Sequence, residues 1–140
     1  MKKIILLFVV LSVFSCSLKR SNPLDPHGHD IYIPANIKDF QIIGEWVESG
    51  NYVKSYNNTV RMEWSPNEDE IEGYYIYRSR SYNGLYTRVK TVYAPNHEWA
   101  DTESSGIEPN NWYYYKISAF NEQGLEGYRS EWKQTWVVGD

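Results

Sequence analysis

The side chains able to do chemistry are few and lie in separate places. Asp25, His27, His29 and Asp30 stand close together, donors of the kind that divalent metals accept. Three prolines and a glycine interrupt the stretch around them, so these ligands lack the preformed geometry a metal site needs. The expectation is a solvated segment with no metal. Glu68-Asp69-Glu70 and Glu72 form an acidic run, but it lacks the alternation and the glycine of an EF-hand loop. Paired carboxylates that cleave glycosides need opposed walls of a cleft, and a small domain has little room for one. The third histidine, His97, sits in a Pro-Asn-His turn. No Gly-x-Ser-x-Gly, His-Glu-x-x-His or glycine-rich phosphate loop occurs. The reading is a chain without catalysis or cofactor, with the acidic run as a solvated loop.

The lone cysteine, Cys16, is a different matter. It follows Lys2-Lys3 and an apolar run from Ile4 to Phe14 that is broken once, at Ser12. That run falls well short of the ~20 residues that span a bilayer as a helix. It has the length of a signal-peptide apolar region. Val13-Phe14-Ser15-Cys16 resembles the bacterial lipobox, in which the cysteine thiol takes a diacylglycerol and becomes the new N-terminus. Val13 stands where leucine is usual, and Phe14 is bulkier than usual. The other reading is a secreted protein cut near Ser15 or Ser17 that keeps a free thiol. Such a thiol is a liability in an oxidising compartment, which favours lipidation of Cys16. Residues 1–15 are therefore expected to be a lipoprotein signal peptide. The partner this implies is a membrane of the cell envelope. Leu18 follows Cys16 where an aspartate would mark inner-membrane retention in the enteric scheme, so the outer membrane is expected.

Residues 16–34 carry prolines at 23, 26 and 34 and read as an extended, part-stiff linker. The whole chain has a net charge of −4, and removal of residues 1–15 takes away two lysines and leaves −6. No basic patch emerges, so nucleic acid is not an expected partner. One cysteine excludes an internal disulfide and a zinc-thiolate framework. Aromatic residues make up 16% of the chain, which suits strands rather than disorder.

From residue 35 the pattern is a series of short strands. The stretch Trp112 to Asn121 is the clearest. Tyr113, Tyr115, Ile117 and Ala119 share one face, and Trp112, Tyr114, Lys116, Ser118 and Phe120 the other. Val60, Met62 and Trp64 alternate in the same way, as do Tyr74, Ile76 and Arg78. Further strands are expected over 37–43, 85–92, 98–101 and 130–138. Residues 44–58 form a long connection in which Trp46, Val47, Tyr52 and Val53 could extend a hairpin. Seven strands without a helix give two packed antiparallel sheets.

Residues 35–138 resemble a fibronectin type III domain. Met62-Glu-Trp64-Ser-Pro66 matches the family's second strand with its core tryptophan. Ile71-Glu-Gly-Tyr74-Tyr-Ile76 matches the start of its third. Gly84-Leu-Tyr86 and Trp99-Ala-Asp101 match pairs common in bacterial members. Ile107, Pro109 and Tyr113 fit the corner, and Tyr115-Lys-Ile117-Ser-Ala119-Phe-Asn121 fits the strand that follows. The first loop is longer than in the family, the last strand is richer in tryptophan, and Arg-Gly-Asp is absent. The resemblance implies an all-β, seven-stranded immunoglobulin-like sandwich. Trp64, Tyr74, Ile76, Tyr113, Tyr115 and Ile117 would then be its core, with Tyr113 turning its hydroxyl back to loop backbone.

The expected function is a membrane-anchored, non-catalytic binding or spacer module that meets another envelope protein. The alternative is a carbohydrate-binding module using exposed rings, with Trp46, Tyr82, Trp132 and Trp136 as candidates for a polysaccharide ligand. Three coplanar exposed rings would favour sugar, and scattered rings a protein partner.

Overall fold

The computed structural model describes residues 32–139. The signal peptide, Cys16 and the Asp25–Asp30 cluster lie outside the described residues. The strands, in chain order, are β1 (Gln41–Ile43), β2 (Glu45–Val47), β3 (Tyr52–Ser55), β4 (Thr59–Glu63), β5 (Gly73–Ser79), β6 (Thr87–Tyr93), β7 (Glu98–Thr102), β8 (Asn111–Phe120) and β9 (Lys133–Val137). They form a three-stranded sheet, β1-β4-β7, and a six-stranded sheet, β2-β3-β9-β8-β5-β6. No α-helix occurs among the described residues.

The alternation in β8 decides the core. Tyr113, Tyr115, Ile117 and Ala119 are all buried. Val60, Met62 and Trp64 are buried with them in one cluster that also holds Ile42, Tyr74, Ile76 and Val137. Each large apolar side chain taken fully out of water adds about 1.5–3 kcal/mol. The Trp64 and Tyr74 rings meet edge to face, with centroids 5.1 Å apart. The Trp64 indole N–H is buried without an acceptor. Packing therefore offsets a lost hydrogen bond of about 1–3 kcal/mol there.

Seven of the nine strands are the expected ones. The other two, β2 and β3, are made by the long connection over 44–58. The expectation of purely antiparallel sheets is corrected here. β3 runs parallel to β9, with Val53, Lys54 and Ser55 opposite Thr135, Trp136 and Val137. The cause is a change of sheet: the chain leaves β1 in the small sheet and steps to the edge of the large one at Gly44. A Cβ at Gly44 would stand 2.3 Å from the Lys54 carbonyl oxygen, so only glycine fits the crossing. The Ser55 and Thr135 hydroxyls share a buried hydrogen bond of 2.8 Å, and Thr135 Oγ1 also donates to the Val53 carbonyl. Asn57 and Asn58, both with positive φ, then carry the chain back into β4 of the small sheet.

Three element boundaries also move. β1 is confined to Gln41–Ile43 because Asp39 takes a positive φ of 53° just before it. Trp132 stands one residue before β9 rather than inside it. The compact unit begins at Tyr32, inside the segment assigned to the linker. Pro34 is buried, and the Asn121 side-chain amide donates to the Tyr32 carbonyl at 2.6 Å.

Candidate functional site

The outer face of the large sheet is rich in aromatic side chains, interspersed with Lys54, Lys116, Ser118 and Gln134. Trp112 and Tyr114 of β8 are flanked by Trp136 and Gln134 of β9 in register. Tyr52 meets Trp112 at 4.8 Å, Trp112 meets Trp136 at 5.4 Å, and Tyr114 meets Trp132 at 5.7 Å. Tyr82, on the loop after β5, reaches Trp132 at 6.1 Å. These pairs are inclined at 74°, 59°, 72° and 47°. The rings are contiguous but not coplanar, so they make no flat platform. Cations cover several others: Arg88 lies over Tyr75 at 4.4 Å, Lys116 over Tyr86 at 5.0 Å, and Arg129 over Tyr77 at 3.7 Å. Such cation–π lids take up ring faces that a ligand would otherwise use.

What remains exposed is smaller. Trp46 is 58% exposed, Tyr82 57% and Trp132 37%. Trp136 is half-buried, between the Trp112 ring and its strand neighbours. Trp46 lies opposite Val53 in the β2–β3 hairpin, on the face turned toward the core. β2 is the outermost strand of its sheet, so this indole overhangs the edge. Trp46 and Trp132 line one cleft of about 390 Å³ together with Gln41, Asn51, Lys133 and Gln134. Of the four aromatic candidates named from the sequence, three therefore stay open to solvent, and two of these share a cleft.

Two polar clusters escaped the sequence reading. In the first, Asp101 of β7 is fully buried, and its Oδ2 accepts from Arg78 Nη1 at 2.8 Å and from the Tyr115 hydroxyl at 2.9 Å. Ser105 Oγ donates to the other carboxylate oxygen. Burial, and then the negative charge of Asp101, pushes the Tyr115 phenol well above its ordinary value. In the second, Glu126 Oε1 accepts from Tyr77 at 2.8 Å, from Ser118 at 2.7 Å and from Arg129 at 3.3 Å. Burial raises the Glu126 carboxyl, but these donors outweigh it and hold the group below its ordinary value. Both carboxylates are held by protein donors: Asp101 ties β7 to β5 and β8, and Glu126 ties the segment after β8 to β5 and β8. The pairing Trp99-Ala-Asp101 was a visible signal for the first; nothing local marked Glu126.

The residues named as core lie in the core: Trp64, Tyr74, Ile76, Tyr113, Tyr115 and Ile117 are all buried. The Tyr113 hydroxyl accepts from the Glu108 backbone N–H at 2.7 Å. Arg80 donates to the same oxygen and lies over the ring at 4.7 Å. The acidic run has a structural role that its composition did not reveal. Asp69 Oδ2 accepts from the Ala35 N–H at 2.8 Å, and Glu68 pairs with Lys38 at 2.8 Å. A hydrogen bond from the Tyr32 hydroxyl, then that from Ala35, lowers the Asp69 carboxyl. No cluster of three metal-ligating side chains occurs among the described residues. Cys16 lies outside them.

No family model matches the chain. An amylopullulanase of Thermoanaerobacter thermohydrosulfuricus is 34% identical over 65 residues, which cover 45% of this chain and 4% of that protein. The chain thus spans a small fraction of the curated relative it matches. Among solved structures, an Fn3-like protein from Clostridium thermocellum superposes with a TM-score of 0.55 at 22% identity, covering 78% of this chain and 98% of that one. A β-1,2-glucanase from Parabacteroides distasonis gives 0.58 at 19% identity, over 78% of this chain and 14% of that one. These likenesses define the class of fold. The described residues form an all-β, immunoglobulin-like sandwich of the fibronectin type III type.

Proposed function

We propose that the chain is a non-catalytic binding or spacer module, anchored at a bacterial cell envelope by lipid on Cys16, that meets another envelope protein. The observation that carries the binding role is the exposed set Trp46 on β2, Tyr82 on the loop after β5 and Trp132 just before β9, beside a sheet face on which many other rings are packed together or covered by cations. Large aromatics left open next to polar side chains are the usual anchors of protein contacts. Lys2-Lys3, the apolar run and the lone cysteine support the anchor. Two or three acyl chains would hold the module firmly where one would not.

The test is the intact mass of membrane-fraction protein, wild type beside Cys16→Ala. A chain starting at Cys16 with added acyl mass, lost in the variant, is the expected result. An unmodified soluble chain cut elsewhere overturns the anchor.

A second reading is carbohydrate binding. It is favoured by the names of two similar proteins, an amylopullulanase and a β-1,2-glucanase, in which the matching part is a small share of a longer chain.

A further inference from the structure

We propose that the cleft between Trp46 and Trp132 binds a short, neutral oligosaccharide. This rests on the carbohydrate reading and gives it a site. Trp46 is the first reason. It points to the core side of the large sheet, opposite Val53, at a position where a ring is normally covered. The edge location leaves it 58% exposed, so the fold gains little from an indole there. Trp132 forms part of the same cleft, and its ring is braced by Tyr82 and Tyr114 at 6.1 and 5.7 Å. A braced indole costs little ordering when a ligand arrives.

The polar lining completes the match. Gln41 Nε2 donates to Glu63 Oε1 at 2.5 Å, and Gln134 Nε2 donates to the Asn51 carbonyl at 3.1 Å. Both amides are thereby held in place at the cleft. A pyranose ring has apolar C–H faces and a rim of hydroxyls. The C–H faces suit indoles, and hydroxyls, which donate and accept, suit amides that do both. An all-proline segment would also stack on tryptophan, but it offers the amides carbonyl acceptors and no donors. Lys133 is the one charged side chain in the lining, which favours a neutral ligand over a polyanion. The cleft volume of about 390 Å³ falls within the range for small-ligand sites.

The test is calorimetric titration of the purified full chain with cellohexaose, maltohexaose and laminarihexaose, and with decaproline. The variants are Trp46→Ala, Trp132→Ala and, outside the cleft, Tyr128→Ala, whose ring is 77% exposed. Thermal melts show which variants keep their fold. Saturable binding of at least one hexasaccharide is expected. Trp46→Ala should weaken it about tenfold, which is ~1.4 kcal/mol, and Tyr128→Ala should leave it unchanged. Sugar binding that survives both cleft variants overturns this site and spares the carbohydrate reading. No binding of any hexasaccharide at about 10 mM, a very weak limit, overturns both. Decaproline binding that Trp46→Ala abolishes, with no sugar bound, overturns the ligand class in favour of a peptide.

Discussion

Arg78 and Asp101 meet at 2.8 Å across the gap between the two sheets, β5 supplying the guanidinium and β7 the carboxylate. Asp101 is fully buried, and 18% of the Arg78 side chain is exposed. Removing the cation strands a buried charge that still needs a partner. Arg78→Met is expected to cost about 3–5 kcal/mol in urea unfolding. The double variant with Asp101→Asn should lose clearly less than the two single losses added together. Strict additivity would show that the two groups do not act as a pair.

The Tyr113 hydroxyl ties the loop before β8 to the sandwich through the Glu108 N–H at 2.7 Å. Tyr113→Phe keeps the ring and removes that acceptor. A loss of about 1–3 kcal/mol is expected, read from denaturant midpoints at unchanged slope. No measurable loss would mean that water or Arg80 replaces the tie at no cost.

Trp64 fills the centre between the sheets and touches Tyr74 edge to face. Trp64→Ala is expected to cost about 3–5 kcal/mol, a large share of the stability of a small sandwich. A urea titration showing a loss under about 1 kcal/mol would contradict its central place in the packing.

Glu126 gives a pH signature. Its carboxyl titrates below the ordinary 4.5 in the folded chain. A lowered carboxylate adds stability above the unfolded value and loses it as pH falls through the folded one. Wild type should therefore lose melting temperature between neutral pH and about pH 3, while Glu126→Gln should lose less over the same interval. Equal losses would show that the donors Tyr77, Ser118 and Arg129 do not favour the charged form.

Much of this could be read along the chain, because strand alternation is a local property. Tyr113, Tyr115, Ile117 and Ala119 repeat at period two, and that repeat alone names the face of β8 that enters the core. Val60, Met62 and Trp64 do the same for the opposing sheet. The turn residues bounding these runs gave the fold class and most strand positions. The first loop was legible as a hairpin but not as a parallel partner of β9. Pairing of Val53 with Thr135 depends on a sheet change at Gly44 that no periodicity encodes. The ties of Asp101 to Arg78, and of Glu126 to Tyr77, join residues far apart in the chain. Tertiary structure also sorted the aromatics. Trp46, Tyr82, Trp132 and Trp136 look alike in sequence, yet burial by neighbours separates half-covered Trp136 from the open three. Local residue order determines which way a side chain faces within its strand. Only the packing of sheets and edges decides whether anything stands in front of it.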